Sequence, residues 1–150
     1  MGDEFARFFA DVEPGLRRAL VARYGPDRGR EATSEALAYA WEHWPRVRAM
    51  DRPVGYLFRV GQSRTRRWRL SRRDLFPSPS VVEMPWVEPG LPRALNALSE
   101  RQRVAVVLVC GFGWQLREVA DLLGVKTTTV QNHVERGLAK LRRDLEVIDD

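Results

Sequence analysis

A chain of 150 residues with 44% hydrophobic and 30% charged side chains has apolar material for one domain or two small ones, which argues against disorder throughout. Its net charge of +5, carried mostly by arginine, favours an anionic partner such as nucleic acid or an acidic protein surface, with a plain solvated basic surface as the alternative. The single Cys110 excludes an internal disulfide, no Cys/His cluster has metal-ligand spacing, and the longest apolar run, VAVVLVC, is far too short to span a membrane. The acidic start MGDEF leads us to expect no signal peptide. The expectation is therefore a soluble protein of a reducing cytoplasm that needs no metal and no cofactor.

From Phe5 to about Arg73 the chain is charged, alanine-rich and low in Gly and Pro apart from the breaks at GPDRG and around Pro45 and Pro53, so it reads as several helices. In ATSEALAYAWEHW, Ala36, Leu37, Ala40 and Trp41 form a predicted buried stripe with Trp44 closing the end. Glu31, Glu35 and Glu42 project elsewhere, as a solvated helix face or a docking surface. Loop arginines Arg46, Arg48 and Arg52 could hold a single strand or stand exposed. The next stretch, RVGQSRTRRWRLSRR over 59–73, has seven arginines and no acid. On one helix Arg59, Arg66, Arg69 and Arg73 would fall within about 80° of arc. Charge of one sign repels itself along a helix unless an anion relieves it, which favours nucleic acid over a solubilising face. Trp68 is expected to pack rather than to stack on bases.

The composition then changes. LFPSPSVVEMPWVEPGLP, residues 75–92, holds Pro77, Pro79, Pro85, Pro89 and Pro92 and no basic residue, and reads as an irregular linker. Helical periodicity returns from Pro92 and strand alternation appears nowhere, so the fold class is all-α. Leu116 to Leu123 reads as a short helix, with Gly124 where a helix commonly ends on a left-handed residue. After that turn Val130, Val134, Leu138, Leu141 and Leu145 recur at spacings of four, four, three and four, one apolar stripe on a second helix. The other face shows Thr128, Gln131, Asn132, Glu135 and Arg136. Helix, glycine turn and polar-faced helix match the helix-turn-helix, whose second helix enters the DNA major groove N-terminus first. Thr127, Thr128 and Thr129 are expected to cap that helix and offer hydroxyls to phosphate, with Gln131 and Asn132 suited to adenine edges and Arg136 to phosphate or guanine. A capped surface helix in a bundle is the plainer reading of the same pattern.

EALAYAWEHW, DRPVGYLFRVGQSRTRRWRLSRR and LPRALNALSERQRVAVVLVCGFGWQLREVADLLGVKTTTVQNHVERGLAKLRRDL follow one another in an order that resembles the extracytoplasmic-function sigma factors within the sigma-70 family of bacterial RNA polymerase. The resemblance implies two small helical domains. Residues 1–74 would be a region 2 bundle that docks on the polymerase clamp and opens the −10 element. Residues 92–150 would be a region 4 helix-turn-helix that meets the flap and reads the −35 element, and 75–91 a flexible linker. Core polymerase and promoter DNA are the implied partners, an anti-sigma factor a further one.

Residue by residue, the resemblance places Ser34, Glu35 and Trp41 in the polymerase-facing helix and Tyr56, Arg59, Ser63 and Arg66 in the helix facing the −10 element. Arg46 and Arg48 fall in the loop that captures a flipped base. Lys126, Thr127, Thr128, Thr129, Gln131, Asn132, His133 and Arg136 match the recognition helix. Ser34 stands where the family often has glutamine, Ser63 where asparagine is common, and Lys126 where serine or proline is usual. No catalytic role is expected. His43 and His133 have no nucleophile motif near them, and Cys110 reads as a small core residue, a redox-sensing role being the sharper alternative. A stand-alone helix-turn-helix regulator, or a sigma-like decoy that binds polymerase or a regulator without initiating transcription, remains open at this point.

Overall fold

The computed structural model describes residues 2–65 and 90–149, and every secondary-structure element among them is helical. The chain runs α1 (Gly2–Tyr24), α2 (Pro26–Glu42), the single turn α3 (Trp44–Val47), α4 (Pro53–Arg64), α5 (Leu91–Ala97), α6 (Glu100–Val106), a π turn (Val107–Gly111), α7 (Leu116–Leu123) and α8 (Thr127–Asp149). Most of the proline-rich stretch, and Arg66, Trp68, Arg69 and Arg73 with it, fall outside the described residues. The helix carrying Arg59 is described as far as Arg64. Thr65 follows it and returns its hydroxyl to the Gly61 carbonyl at 2.9 Å.

Small residues set the geometry of the first two helices. Ala32, Ala36 and Ala40 of α2 are wholly buried against Leu16, Ala19 and Leu20 of α1, which brings the two backbones close. At Gly29 a Cβ would lie 2.5 Å from the Cα of Val21, so only glycine fits that crossing. Trp44 closes the end as expected, 2% exposed, with Phe5 and Phe8 edge-on to it at 5.2 and 4.9 Å. Trp41 departs from the expected stripe and is 49% exposed. It sits about 100° round the helix from Ala40, and Ala36, Ala40 and Trp44 already fill the inward positions.

In the C-terminal segment Ser99 and Gln102 form a reciprocal cap that starts α6, each side chain meeting the other's backbone N–H at 3.2 Å. Past Val106 the helix widens, and the Phe112 N–H reaches back five residues to the Val107 carbonyl at 3.1 Å. Cys110 lies on the outer side of this turn and is exposed, which corrects its reading as a core residue: Leu108 takes the inward place. One apolar cluster runs from Val12 and Leu16 through Leu57 and Phe58 to Val104, Leu122 and Val130, so both segments share a core. A second, around Ala94, Leu98, Val106 and Leu141, ties α5 and α6 to α8.

Gly29→Ala should lower stability by about 1 to 3 kcal/mol, because the added methyl must part α1 from α2. Gly2→Ala, where nothing lies within 4 Å, should leave the urea midpoint unchanged.

Candidate nucleic-acid interface

Helices α7 and α8 make the expected helix-turn-helix. α7 begins at a Gln115–Glu118 capping pair, the Gln115 N–H donating to Glu118 Oε1 at 3.0 Å. It ends at Gly124, left-handed at φ 68°, after which the Val125 N–H returns to the Ala120 carbonyl at 3.0 Å. α8 starts at Thr127, so Lys126 rather than a threonine holds the cap position. The Lys126 carbonyl accepts from the N–H groups of Thr129 at 3.0 Å and Val130 at 3.2 Å. The three threonines therefore form the first turn instead of capping it, with Thr127 and Thr128 exposed.

The polar face is as read from the sequence. Lys126, Thr127, Thr128, Gln131, Asn132 and Arg136 are exposed, Thr129 and His133 half-buried, and Val130 is at 0% exposure beneath them. Gln131 also donates to Glu135 at 3.4 Å. Burial pushes the His133 imidazole below its ordinary pKa, and the positive charges of Arg101 and Arg136 push the same way. Such a face offers hydroxyls, amides and a guanidinium to a groove, the donor and acceptor set that base edges and phosphates require.

A second face is built where α2, α3 and α4 meet. The Tyr39 and Tyr56 hydroxyls hydrogen-bond at 2.9 Å, and that bond, with desolvation behind it, holds the Tyr39 phenol above its usual pKa. His43 stacks on Tyr39 with ring centroids 4.0 Å apart and planes 18° from parallel. Arg46 stands 5.8 Å over the Tyr56 ring and Arg64 5.8 Å over Tyr39. Sequence reasoning missed Tyr39, His43 and Arg64. The spacing of four between Tyr39 and His43 was the only local signal, since the tyrosine pair depends on how α4 lies on α2. Rings flanked by guanidiniums suit unstacked bases on a charged strand. Arg48 is exposed but paired with Glu4 at 3.1 Å, Ser63 is exposed, and Arg59 lines a crevice of about 230 Å³ with Arg23, Gln62, Glu100 and Arg101. Arg66 lies outside the described residues.

The residues expected to face polymerase are only partly brought together. Ser34 and Trp41 line one groove of about 470 Å³ between α1 and α2 with Phe5, Phe9 and Leu37, whereas Glu35 is half-buried beside it. Among the described residues no cluster of His, Cys, Asp or Glu could hold a metal, and no helix is long and apolar enough to cross a membrane.

Fold and faces together define, among the described residues, an all-helical protein built on a helix-turn-helix with a polar outer face suited to nucleic acid. Residues 90–141 match the family model described as sigma-70, region 4. Over 98% of its length the chain is 29% identical to an RNA polymerase sigma-E factor of Streptomyces coelicolor, covering 87% of that protein. It is likewise 29% identical to the sigma-E factor of Streptomyces antibioticus over 83% of the chain and 74% of the relative. The fold matches that of the sigma factor RpoE from Bartonella quintana, solved with the anti-sigma factor NepR, at TM-score 0.68 and 20% identity over 96% of this chain and 98% of that one. Residues 90–141 thus match sigma-70 region 4, and the chain as a whole is similar in sequence to RNA polymerase sigma-E factors and in fold to a sigma factor.

The lowered His133 pKa carries a sign for stability. The unfolded imidazole, with its ordinary value of 6.5, takes up a proton before the folded one does, so the folded state loses ground as pH falls below that value. Between pH 7.5 and 5.5 the urea midpoint should fall, and His133→Gln should flatten that part of the profile.

Proposed function

We propose that the protein binds core RNA polymerase and directs it to promoters, with residues 1–74 docking on the clamp and opening the −10 element. Residues 92–150 meet the flap and read the −35 element, and 75–91 join the two. The observation that carries this reading is the exposed polar face of α8, from Lys126 to Arg136, set on the left-handed turn at Gly124. Lys126, Thr127, Thr128, Thr129, Gln131, Asn132, His133 and Arg136 are the −35 contacts. Arg46, Arg48, Tyr56, Arg59, Ser63 and Arg66 serve the −10 element, with Tyr39, His43 and Arg64 supporting them. Ser34, Glu35 and Trp41 face polymerase, and the apolar groove that Ser34 and Trp41 line supports that placement.

A few base contacts of about 1 to 3 kcal/mol each select poorly among genomic competitors. Two readers tethered on one enzyme gain effective concentration, and the cost of extruding a base is offset by an aromatic and basic grip on the single strand. The protein supplies specificity and performs no covalent chemistry of its own. It works in the cytoplasm at the nucleoid, and an anti-sigma factor is its expected regulator, as the complex of the structural relative suggests.

In vitro transcription from a fragmented genomic library with purified core polymerase should yield new start sites that share two motifs at fixed spacing. Polymerase binding without new starts would mark a decoy, and binding to palindromic DNA without polymerase a stand-alone regulator. Asn132→Ala should weaken and relax −35 recognition by about 1 to 3 kcal/mol, measured on matched and mismatched promoter fragments. Arg66→Ala should weaken binding evenly across sequences and flatten its salt dependence.

A further inference from the structure

Three arginines converge between the two segments with one acid among them. Arg23 from the last turn of α1, Arg59 from α4 and Arg101 from α6 line the crevice of about 230 Å³ together with Gln62 and Glu100. Glu100 is committed to Arg23, at 2.6 Å, and among the described residues neither Arg59 nor Arg101 has an ion-pair partner. Three guanidiniums against one carboxylate leave an excess of two positive charges in one opening. The charge of Arg101 is felt beyond the crevice: after burial, it is the next cause that keeps the His133 imidazole below its ordinary pKa. Like charges held this close repel one another unless an anion joins them.

The walls of the crevice are held in place. Arg103, 1% exposed, donates through Nε to the Ala22 carbonyl at 3.0 Å and through Nη2 to the Arg23 carbonyl at 2.9 Å, which pins the end of α1 to α6. Phe58 and Val104, each 1% exposed, back the opening with apolar surface, and Leu122 lines it from α7. Charges beside an apolar wall interact more strongly than charges in open water. The guanidinium fork matches phosphate oxygens two at a time, and the Gln62 amide adds a neutral donor. Pockets for drug-sized ligands hold about 300 to 1,000 Å³, and this crevice falls below that range. It suits a compact anion of high charge.

We infer that this crevice is a binding site for a compact polyphosphate, a diphosphate group either free or at the end of a nucleotide, held by Arg59 and Arg101 with Arg23 beside them. Because its walls come from α1, α4, α6 and α7, the bound anion ties the two segments together and stabilises the folded chain by mass action. The inference goes beyond promoter recognition and does not rest on it, since Glu100 and Arg101 belong to neither face proposed to meet DNA.

Calorimetric titration of the full chain with inorganic pyrophosphate, against sodium chloride at matched ionic strength, reads the site, and the thermal midpoint reads the linkage to folding. Pyrophosphate should bind saturably, one per chain, and raise the midpoint where chloride does not. Arg101→Gln and Arg59→Gln should each weaken binding about tenfold, the worth of one charge-assisted hydrogen bond. Glu100→Gln should tighten it, because the opposing charge is gone and Arg23 is released. Arg7→Gln, about 24 Å along α1 from Arg23, should change nothing. A nucleoside diphosphate that binds more tightly than pyrophosphate marks a nucleotide as the ligand, and equal or weaker affinity marks the free anion; both support the site. Absence of saturable binding above the salt control, or a loss with Arg7→Gln as large as with Arg101→Gln, overturns it. So does a single-stranded oligonucleotide without terminal phosphates that displaces pyrophosphate and depends equally on Arg101, since the crevice is then a seat for a strand's backbone. Circular dichroism checks that each variant keeps its helix content; should Arg101→Gln lose it, Arg59→Gln and Glu100→Gln decide.

Discussion

A guanidinium taken out of water must have its donors met by protein, or the cost exceeds what the burial returns. Arg103 meets that demand with main-chain carbonyls at the end of α1 and at Leu98, and the requirement runs both ways, since those helix-end carbonyls need donors too. One side chain thus finishes the first helix and fixes where α6 must lie. With α6 placed, Val104 and Leu108 enter the cluster begun by Leu16 and Leu20, and the helix-turn-helix is carried into position behind them. Of the ion pairs around it, Arg52–Asp121 is exposed on both sides and contributes little by itself. The buried cation sets direction, and the apolar cluster supplies most of the stabilisation.

Local signals carried far into the sequence reading. The α7 boundaries, the left-handed Gly124 and the inward set Val130 to Leu145 were all legible, because capping, turn conformation and helical period are decided within one or two turns. The polar face of α8 followed by subtraction. What could not be read depends on how helices lie on one another. The Tyr39–Tyr56 hydroxyl pair joins residues 17 apart, and Arg103 reaches 81 residues back to Ala22. In SERQRVAV nothing distinguishes the arginine that is buried from Arg101, which is exposed.

Two misreadings share one cause. Trp41 was placed inside and stands half out, and Cys110 was placed inside and is exposed. In both, hydrophobic type was taken for burial although neighbouring positions had already filled the core. The threonine run shows the converse. Good capping residues stand one position too late to cap, and the main chain of Lys126 serves the first turn instead. That leaves Thr127 and Thr128 exposed at the N-terminal tip of α8, with no capping role in the fold.

The π turn at Val107–Gly111 carries a different kind of constraint. A widened turn holds one residue more than an α-helix would over the same arc, so everything after it is shifted in phase by about 100°. Phe112 reaches Arg18 and Trp114 comes against Gly15 in that shifted phase. Dropping one residue anywhere between 107 and 111 would restore an ordinary helix and turn both rings away from α1. The geometry therefore constrains the number of residues between α6 and α7 more than the identity of the side chains on the outer side of this turn, Cys110 among them. The segment acts as a ruler, indifferent to much of what is written on it.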